Sequence, residues 1–366
     1  MRIKAIKLIN YRNYSHLEFN PCEGLNALVG ENAQGKTNLL EAVFLCAFGR
    51  SHRMSRDIEL IKNDQNMSYI GLSVTGYTGS RQIEVKLSRG EGKKILLDSC
   101  PIGRSGELLG VLNAVMFSPE DLSLVKDGPA MRRRFMDMEL SQLNPSYYYR
   151  LQQYNHALKQ RNALLKDNFA PSSPGLLAMW DEQLANLGES VINARKAFIE
   201  ELSGIAGELH RMISDGRETL GIAYEPDIRA SCGISLHDAI IEALSSSALE
   251  DIRRGFTTAG PHRDDISISV NESDARIFGS QGQQRTAALS LKLSEIEIMK
   301  RHKSEPPVLL LDDVLSELDE IRQRMLVKSI EGVQVLLTCT ALAGLKNAGL
   351  KDAKVYECKC GTLRET

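Results

Sequence analysis

Nowhere in the 366 residues does an apolar run approach the ~18 residues needed to cross a bilayer, and Met1-Arg2-Ile3-Lys4 starts no signal-peptide core. A cytoplasmic protein without membrane association is therefore expected. Positive charge is not in excess either. The formal net charge is −2, which excludes a globally basic nucleic-acid binder and makes any DNA contact a local patch. Cysteine is sparse: seven residues spread over the whole length form no disulfide framework and suit a reducing compartment. Cys358 and Cys360 make a lone C-x-C without a second pair at metal-ligand spacing, which reads as an ordinary terminal strand. No repeat of about 20–50 residues is present, and no low-complexity segment. With 42% hydrophobic and 25% charged residues the composition is that of a globular protein, long enough for two or three units of about 100–200 residues.

What is present centres on Gly30-Glu31-Asn32-Ala33-Gln34-Gly35-Lys36-Thr37. This fits G-x-x-x-x-G-K-[ST], in which backbone N–H groups wrap phosphates, the lysine reaches the β/γ oxygens and the final hydroxyl holds Mg²⁺. The flanks support it. Leu25, Ala27, Leu28 and Val29 enter as a strand, and Leu39, Leu40, Val43, Phe44, Ala47 and Phe48 leave at helical spacing. The helix N-terminus adds partial positive charge where phosphates would sit.

Taken in order, residues 2–20 suggest two short strands around the turn Asn10 to Ser15, where Arg12 is either a hairpin-loop residue or a contact to nucleotide or DNA. After the loop helix, Arg50, Arg53 and Arg56 crowd seven positions. That density of one sign suits phosphate contacts, to nucleotide or to a DNA backbone, or else a solvated loop. Short glycine-separated strands at Tyr69 to Val74, Ile83 to Leu87 and Lys94 to Leu97 predict an antiparallel meander. Ser118-Pro119-Glu120-Asp121 predicts a helix start with Ser118 as N-cap. Arg132-Arg133-Arg134 follows, and a helix cannot turn all three inward. The runs Tyr147 to Leu165 and Trp180 to Met212 carry apolar residues in steps of three and four on either side of a break at residues 170–175, predicting an antiparallel helical hairpin without chemistry of its own. Domains are expected at 1–118, 119–255 and 256–366, the first and last forming two halves of one ATPase fold.

The last third returns to motifs. Val308-Leu309-Leu310-Leu311-Asp312-Asp313 reads as a buried parallel strand ending in two carboxylates; Asp312 would coordinate Mg²⁺, and Asp313 would orient or deprotonate the attacking water. Aspartate is one methylene shorter than glutamate, so slow hydrolysis is expected. Ser280-Gln281-Gly282 opens a helix with a hydroxyl and bare N–H groups. It is either an ordinary cap or a second phosphate-binding helix end. In the second case one subunit closes on nucleotide held by another, giving an ATP-dependent homodimer.

These stretches, with Gly49-Arg50-Ser51-His52-Arg53, Phe117 to Leu122, Arg132-Arg133-Arg134-Phe135 and Gly260-Pro261-His262-Arg263-Asp264-Asp265, resemble the ABC-type ATPases of the SMC class, and within them the RecF family of bacterial recombination mediators. The resemblance implies an α/β ATPase head, a mixed sheet with flanking helices plus a β meander, carrying an inserted helical arm. It implies ATP and Mg²⁺ as cofactors, dimerisation on gapped or junction DNA, and weak ATPase activity used as a timer. It also implies work with RecR, in the pathway that includes RecO, to load RecA onto protein-coated single strands. By the same resemblance Ser316-Glu317-Leu318-Asp319 is the loop that meets the partner subunit and its nucleotide. Thr338 stands near where a switch histidine is common, and Glu120 near where a glutamine is; both departures weaken fast hydrolysis, not binding. A small-molecule kinase has no use for the arm or the Ser280 signature, whereas in a transporter's nucleotide-binding subunit the arm would dock on membrane helices.

Overall fold

The computed structural model describes residues 1–54, 56–77, 79–166, 174–303, 305–341 and 353–366. In chain order the elements are β1 (Arg2–Tyr11), β2 (Tyr14–Phe19), β3 (Leu25–Val29), α1 (Lys36–Phe48), β4 (Met67–Gly76), β5 (Gly79–Ser88), β6 (Gly92–Leu97), β7 (Cys100–Pro101) and β8 (Ala114–Phe117). Then come α2 (Ser123–Lys126), α3 (Pro129–Leu143), α4 (Pro145–Lys166), α5 (Pro174–Ile213), β9 (Leu220–Glu225), α6 (Leu236–Arg254), β10 (Asp265–Val270) and β11 (Ser273–Asp274). The chain closes with α7 (Gln281–His302), β12 (Val308–Asp312), α8 (Glu320–Ser329), β13 (Val335–Cys339), β14 (Lys354–Lys359) and β15 (Thr362–Glu365). They form two compact units, one of residues 1–122 and 288–366, the other of residues 123–287.

The first unit holds two sheets with α1 packed against both. An antiparallel sheet runs β2-β1-β4-β5-β6-β7; the other runs β15-β14-β3-β13-β12-β8 and is parallel except for β15. Covered parallel strands read as continuous apolar runs, and every residue of β12 and β13 is buried. Because α1 meets a sheet on either side, it is apolar nearly all round: Leu39, Leu40 and Ala42 to Phe48 are all buried. It ends on Gly49, whose φ of 68° is the left-handed conformation that a helix C-terminus favours and glycine adopts without strain. The expected meander is thus part of one larger sheet with the N-terminal hairpin. At residue 118 a 3-10 turn over Pro119–Leu122 replaces the expected helix start, and it is the Asp121 carboxylate that accepts from the Ser118 N–H at 2.7 Å.

The second unit is built on α4 and α5, with α6 and the antiparallel sheet β11-β10-β9 packed on them. Tyr147, Leu151, Tyr154 and Leu165 of α4 are buried. On the 40-residue α5 the stripe drifts: Leu184, Val191, Phe198, Leu202, Ile205 and Leu209 are buried, but so are Ala185, Ile192, Ile199, Ala206 and Ile213, while Met212 is 55% exposed. A straight helix turns away from a strict seven-residue repeat by ~20° each heptad, so the far end of the predicted stripe faces solvent. The chain break expected at residues 170–175 lies largely outside the described residues.

Candidate functional site

At the carboxyl ends of β3, β13 and β12, neighbours in one sheet, three segments meet. Register sets them level: Asp312 pairs with Thr338, and Thr338 with Leu28, two residues before the phosphate loop. The Thr37 hydroxyl donates to Asp312 Oδ1 at 2.7 Å, and the Thr338 hydroxyl donates to the same oxygen at 2.8 Å. Thr338 Oγ1 in turn accepts the N–H of Asp313 at 2.9 Å. Asp313 has a φ of 51°, a left-handed conformation for a non-glycine residue that stores on the order of 1 kcal/mol and persists only where the surroundings impose it.

The loop from Gly30 to Thr37 is held from both ends of the chain. Lys36 Nζ donates to the Gly30 and Glu31 carbonyls at 2.5 and 2.8 Å, so the side chain lies along the loop. Asn13 Nδ2 donates to Gln34 O at 2.8 Å, the Tyr14 hydroxyl to Gly35 O at 3.0 Å, and Asn38 Nδ2 to Asn13 Oδ1 at 2.9 Å. From the other end, the N–H of Gly361 donates to Gln34 O at 3.1 Å, the N–H of Cys360 to Gln34 Oε1 at 2.7 Å, and the Cys358 thiol to Gln34 O at 3.4 Å. Two glycines are required by this bracing. A Cβ on Gly30 would lie 2.3 Å from Cys358 O, and one on Gly35, whose φ is 114°, would lie 2.6 Å from Asn13 Nδ2. Ala33 also adopts positive φ, at 63°. Asn13, Tyr14, Cys358 and Gly361 were not singled out from sequence; no local signal marks them.

Arg12 is engaged away from the loop. Its guanidinium forks onto Glu41, with Nε to Oε2 at 3.0 Å and Nη2 to Oε1 at 3.1 Å, and Nη1 donates to Glu59 O at 3.2 Å. Glu41 is fully buried, and its Oε1 also accepts the Ser51 hydroxyl at 2.6 Å, which accepts the N–H groups of Arg53 and Met54. One buried carboxylate therefore fixes the start of the basic segment, on which Arg50, Arg53 and Arg56 are exposed. His52 packs edge-on against Phe44 at 5.1 Å. Burial pushes its imidazole below the ordinary value, although Glu41, Glu120 and Asp312 oppose the shift.

The remaining candidates lie in the second unit or beyond β12. Ser280 caps α7: the Gln283 N–H donates to Ser280 Oγ at 3.2 Å and the Ser280 N–H to Gln283 Oε1 at 2.9 Å, a reciprocal capping box. Ser280, Gln281 and Gly282 are exposed, as are Ile277 and Phe278 just before them. Asp319 caps α8 by accepting the Arg322 N–H at 3.0 Å. In the arginine triplet only Arg134 is exposed. Arg132 is 5% exposed and forked onto Asp265 at 2.6 and 2.8 Å, with Nη1 on Asp127 O. It has no face for a DNA phosphate, and the expectation for this residue is corrected: its guanidinium ties α3 to β10. Arg133 donates to Asp264 O at 2.7 Å, and burial lowers its pKa from the usual arginine range.

The stretch Gly260 to Asp265 is likewise an internal lock. Asp264 accepts from Arg195 at 2.9 Å, from the Tyr224 hydroxyl and from the Asp227 N–H, while Arg195 also reaches Pro261 O at 2.6 Å and Asp137 at 2.8 Å. His262 Nε2 faces Thr257 O at 3.2 Å and Nδ1 faces the Tyr154 hydroxyl at 2.8 Å. A carbonyl can only accept, so the proton sits on Nε2 and Tyr154 donates to Nδ1. Burial lowers the His262 pKa.

The family model described as the RecF/RecN/SMC N terminal domain matches residues 2–358. Among solved structures, the Smc head domain with an extended coiled coil from Pyrococcus furiosus superposes with a TM-score of 0.58 at 14% identity, covering 100% of this chain and 95% of that one. The fold is the ABC-type ATPase head of the SMC class, with a helical arm inserted. At closer range, the chain is 44% identical to the DNA replication and repair protein RecF of Lachnoclostridium phytofermentans and 42% identical to that of Clostridium acetobutylicum, each match covering 100% of both chains. A solved structure of the recombination mediator protein RecF-ATP in the RecFOR pathway has a TM-score of 0.91 at 35% identity, over 100% of this chain and 97% of that one. The chain belongs to the RecF family of DNA replication and repair proteins.

Proposed function

We propose that this protein is an ATP-dependent DNA clamp that dimerises at gapped or single-strand/double-strand junction DNA and, with RecR and RecO, helps load RecA onto coated single strands. The observation that carries the reading is the meeting of the phosphate loop with Asp312 through the Thr37 hydroxyl at 2.7 Å. A hydroxyl and a carboxylate oxygen are the hard donors Mg²⁺ takes from a protein that leaves other positions to phosphate and water. The glycine positions that no Cβ could occupy fit a loop whose backbone approaches phosphates. ATP would supply the phosphate oxygens that complete the metal's shell and the bond whose hydrolysis resets the clamp. Lys36 would leave the Gly30 and Glu31 carbonyls for those oxygens, and Asp313 would orient water.

Ser280 is suited to act on a second subunit's nucleotide. Its oxygen accepts within its own cap, and its O–H lies at the exposed N-terminus of α7, where the partial positive charge of a helix suits an anion. Asp319 would meet the same partner. Arg50, Arg53, Arg56 and Arg134 are the exposed candidates for DNA phosphates. The short Asp313 side chain and the hydroxyl at Thr338, in place of an imidazole, favour slow turnover. Support also comes from the ATP-bound state of the solved relative and from the repair role its relatives' names carry.

The test is sedimentation with and without Mg-ATP and a gapped duplex, for the parent chain, Lys36→Ala and Ser280→Ala. ATP-driven dimerisation, raised by DNA and abolished by both substitutions, is the expected result. A chain that stays monomeric while hydrolysing ATP defeats the clamp and favours a simple nucleotide-hydrolysing enzyme.

A further inference from the structure

The helical unit contains a groove of about 770 Å³ that none of the motifs above uses. Its floor is apolar, formed by Ile192 and Ile199 of α5 with Ile222 and Ile228, and its rim carries Lys196 and Arg229. One wall is β9, the edge strand of the sheet β11-β10-β9. Leu220 and Ile222 of β9 and Ile266, Ile268 and Val270 of β10 are buried, with Tyr224 half-buried, so this sheet covers α5 with one face. The groove therefore lies where the floor helix continues past the last strand.

Register shows what the edge offers. Ile268 of β10 pairs with Ile222, and the Ile268 carbonyl accepts the Ala275 N–H from the β11 side. In an antiparallel ladder a residue turns its N–H and C=O to the same neighbour, and paired residues alternate between bonded and non-bonded. Ile222 and Ile268 are thus a non-bonded pair. The N–H and C=O of Ile222 point away from β10, and by alternation so do those of Tyr224. Neither residue makes another main-chain hydrogen bond among the described residues.

Natural edge strands are blunted by lysine, proline, a bulge or short length. β9 reads Leu-Gly-Ile-Ala-Tyr-Glu, pairs in unbroken register over all six residues, and carries none of those devices before Pro226. Charge selects what could add to it. Lys196 and Arg229 make no ion pair among the described residues, and Glu200 is the one acid lining the groove. The volume falls in the range of ligand-binding sites, about 300–1,000 Å³.

We propose that this groove binds an extended acidic peptide segment of another protein, added as a fourth strand against β9. The incoming strand bonds the outward groups of Ile222 and Tyr224, sets alternate apolar side chains on the isoleucine floor, and brings carboxylates to Lys196 and Arg229. Main-chain bonds supply affinity in such strand addition, and side-chain pockets supply selectivity.

The experiment measures fluorescence anisotropy of a labelled eight-residue peptide alternating valine and aspartate against the full-length chain, beside the same peptide with lysine for aspartate. The acidic peptide is expected to bind and the basic one not. Lys196→Glu combined with Arg229→Glu should weaken binding at least tenfold. So should Gly204→Leu, which fills the groove from α5 at a position where a Cβ has open space. Hydrogen exchange on the complex should slow at the Ile222 and Tyr224 amides. Absence of binding, affinity unchanged in both variants, or binding without that protection overturns the proposal. A change of oligomeric state in Gly204→Leu also overturns it, because the occupant is then a second copy.

Discussion

Around the phosphate loop, polar side chains meet at the mouth of a sheet: Lys36 rests on two loop carbonyls, and Thr37 and Thr338 share a single carboxylate oxygen. Inside the helical unit the same residue types are sealed. Arg161 and Asp251 are both 0% exposed and bond at 2.6 Å, and Arg195 spans three elements through Asp137, Asp264 and the Pro261 carbonyl. The first arrangement can exchange its hydrogen bonds for those of an incoming anion at small cost. The second cannot, because a buried charge that loses its partner has no water to turn to. The site sets Lys36 on neutral carbonyls beside a half-exposed Thr37, whereas the lock ties Arg161 and Arg195 to carboxylates out of reach of water.

Breaking the lock gives the largest expected effect. Arg195→Ala should cost about 3–5 kcal/mol, read as a lower urea midpoint; a loss under about 1 kcal/mol would mean that Arg195 is dispensable. At the site, Thr338→Val removes the donor to Asp312 and the acceptor for the Asp313 N–H. It should cost about 1–3 kcal/mol and slow hydrolysis more than it weakens ATP binding, measured by single-turnover kinetics beside titration; equal effects on both steps would place Thr338 in binding.

A gentler probe uses pH. His262 is held neutral, its folded pKa lowered by burial, so its contribution to stability is complete above the unfolded imidazole value of about 6.5 and is lost as pH falls through the folded value. His52 is shifted the same way for the same reason. The melting temperature should therefore drop on acidification below about pH 6.5, and His262→Gln, which can still donate to Thr257 O and accept from Tyr154, should flatten part of that drop. An unchanged pH profile in this variant removes His262 from the account.

The smallest effect on stability separates the arginines. Arg53→Gln should leave stability within about 0.5 kcal/mol and reduce the slope of log affinity for DNA against log salt by about 0.9, whereas Arg132→Gln should destabilise the protein and leave the slope alone. The reverse pattern would exchange their roles.

The fold class was legible because its signals are local. Val308 to Leu311 and Val335 to Leu337 are unbroken apolar runs of the kind a covered parallel sheet uses, the strand into Gly30 is interrupted only by Asn26, and α1 declares itself by apolar residues on nearly every side. The supports of the loop were not legible. Asn13 and Gly361 converge on the Gln34 carbonyl from 21 residues before it and 327 residues after it, and no periodicity encodes that meeting. Arg132 misled for a related reason: an arginine on a helix reads as solvent-facing until the acid that buries it, here Asp265, is located in space.

The bracing of the phosphate loop also sets an order of events during synthesis. The strand and helix around Gly30 to Thr37 leave the ribosome early, yet Gln34 gains its bonds to Cys358, Cys360 and Gly361 only when the final hairpin has emerged. Until then the loop lacks half of its supports, and β13 and β14, the two neighbours of β3, are still unmade. Nascent or prematurely terminated chains therefore carry the loop's sequence without its full bracing, which is complete only once translation is nearly finished.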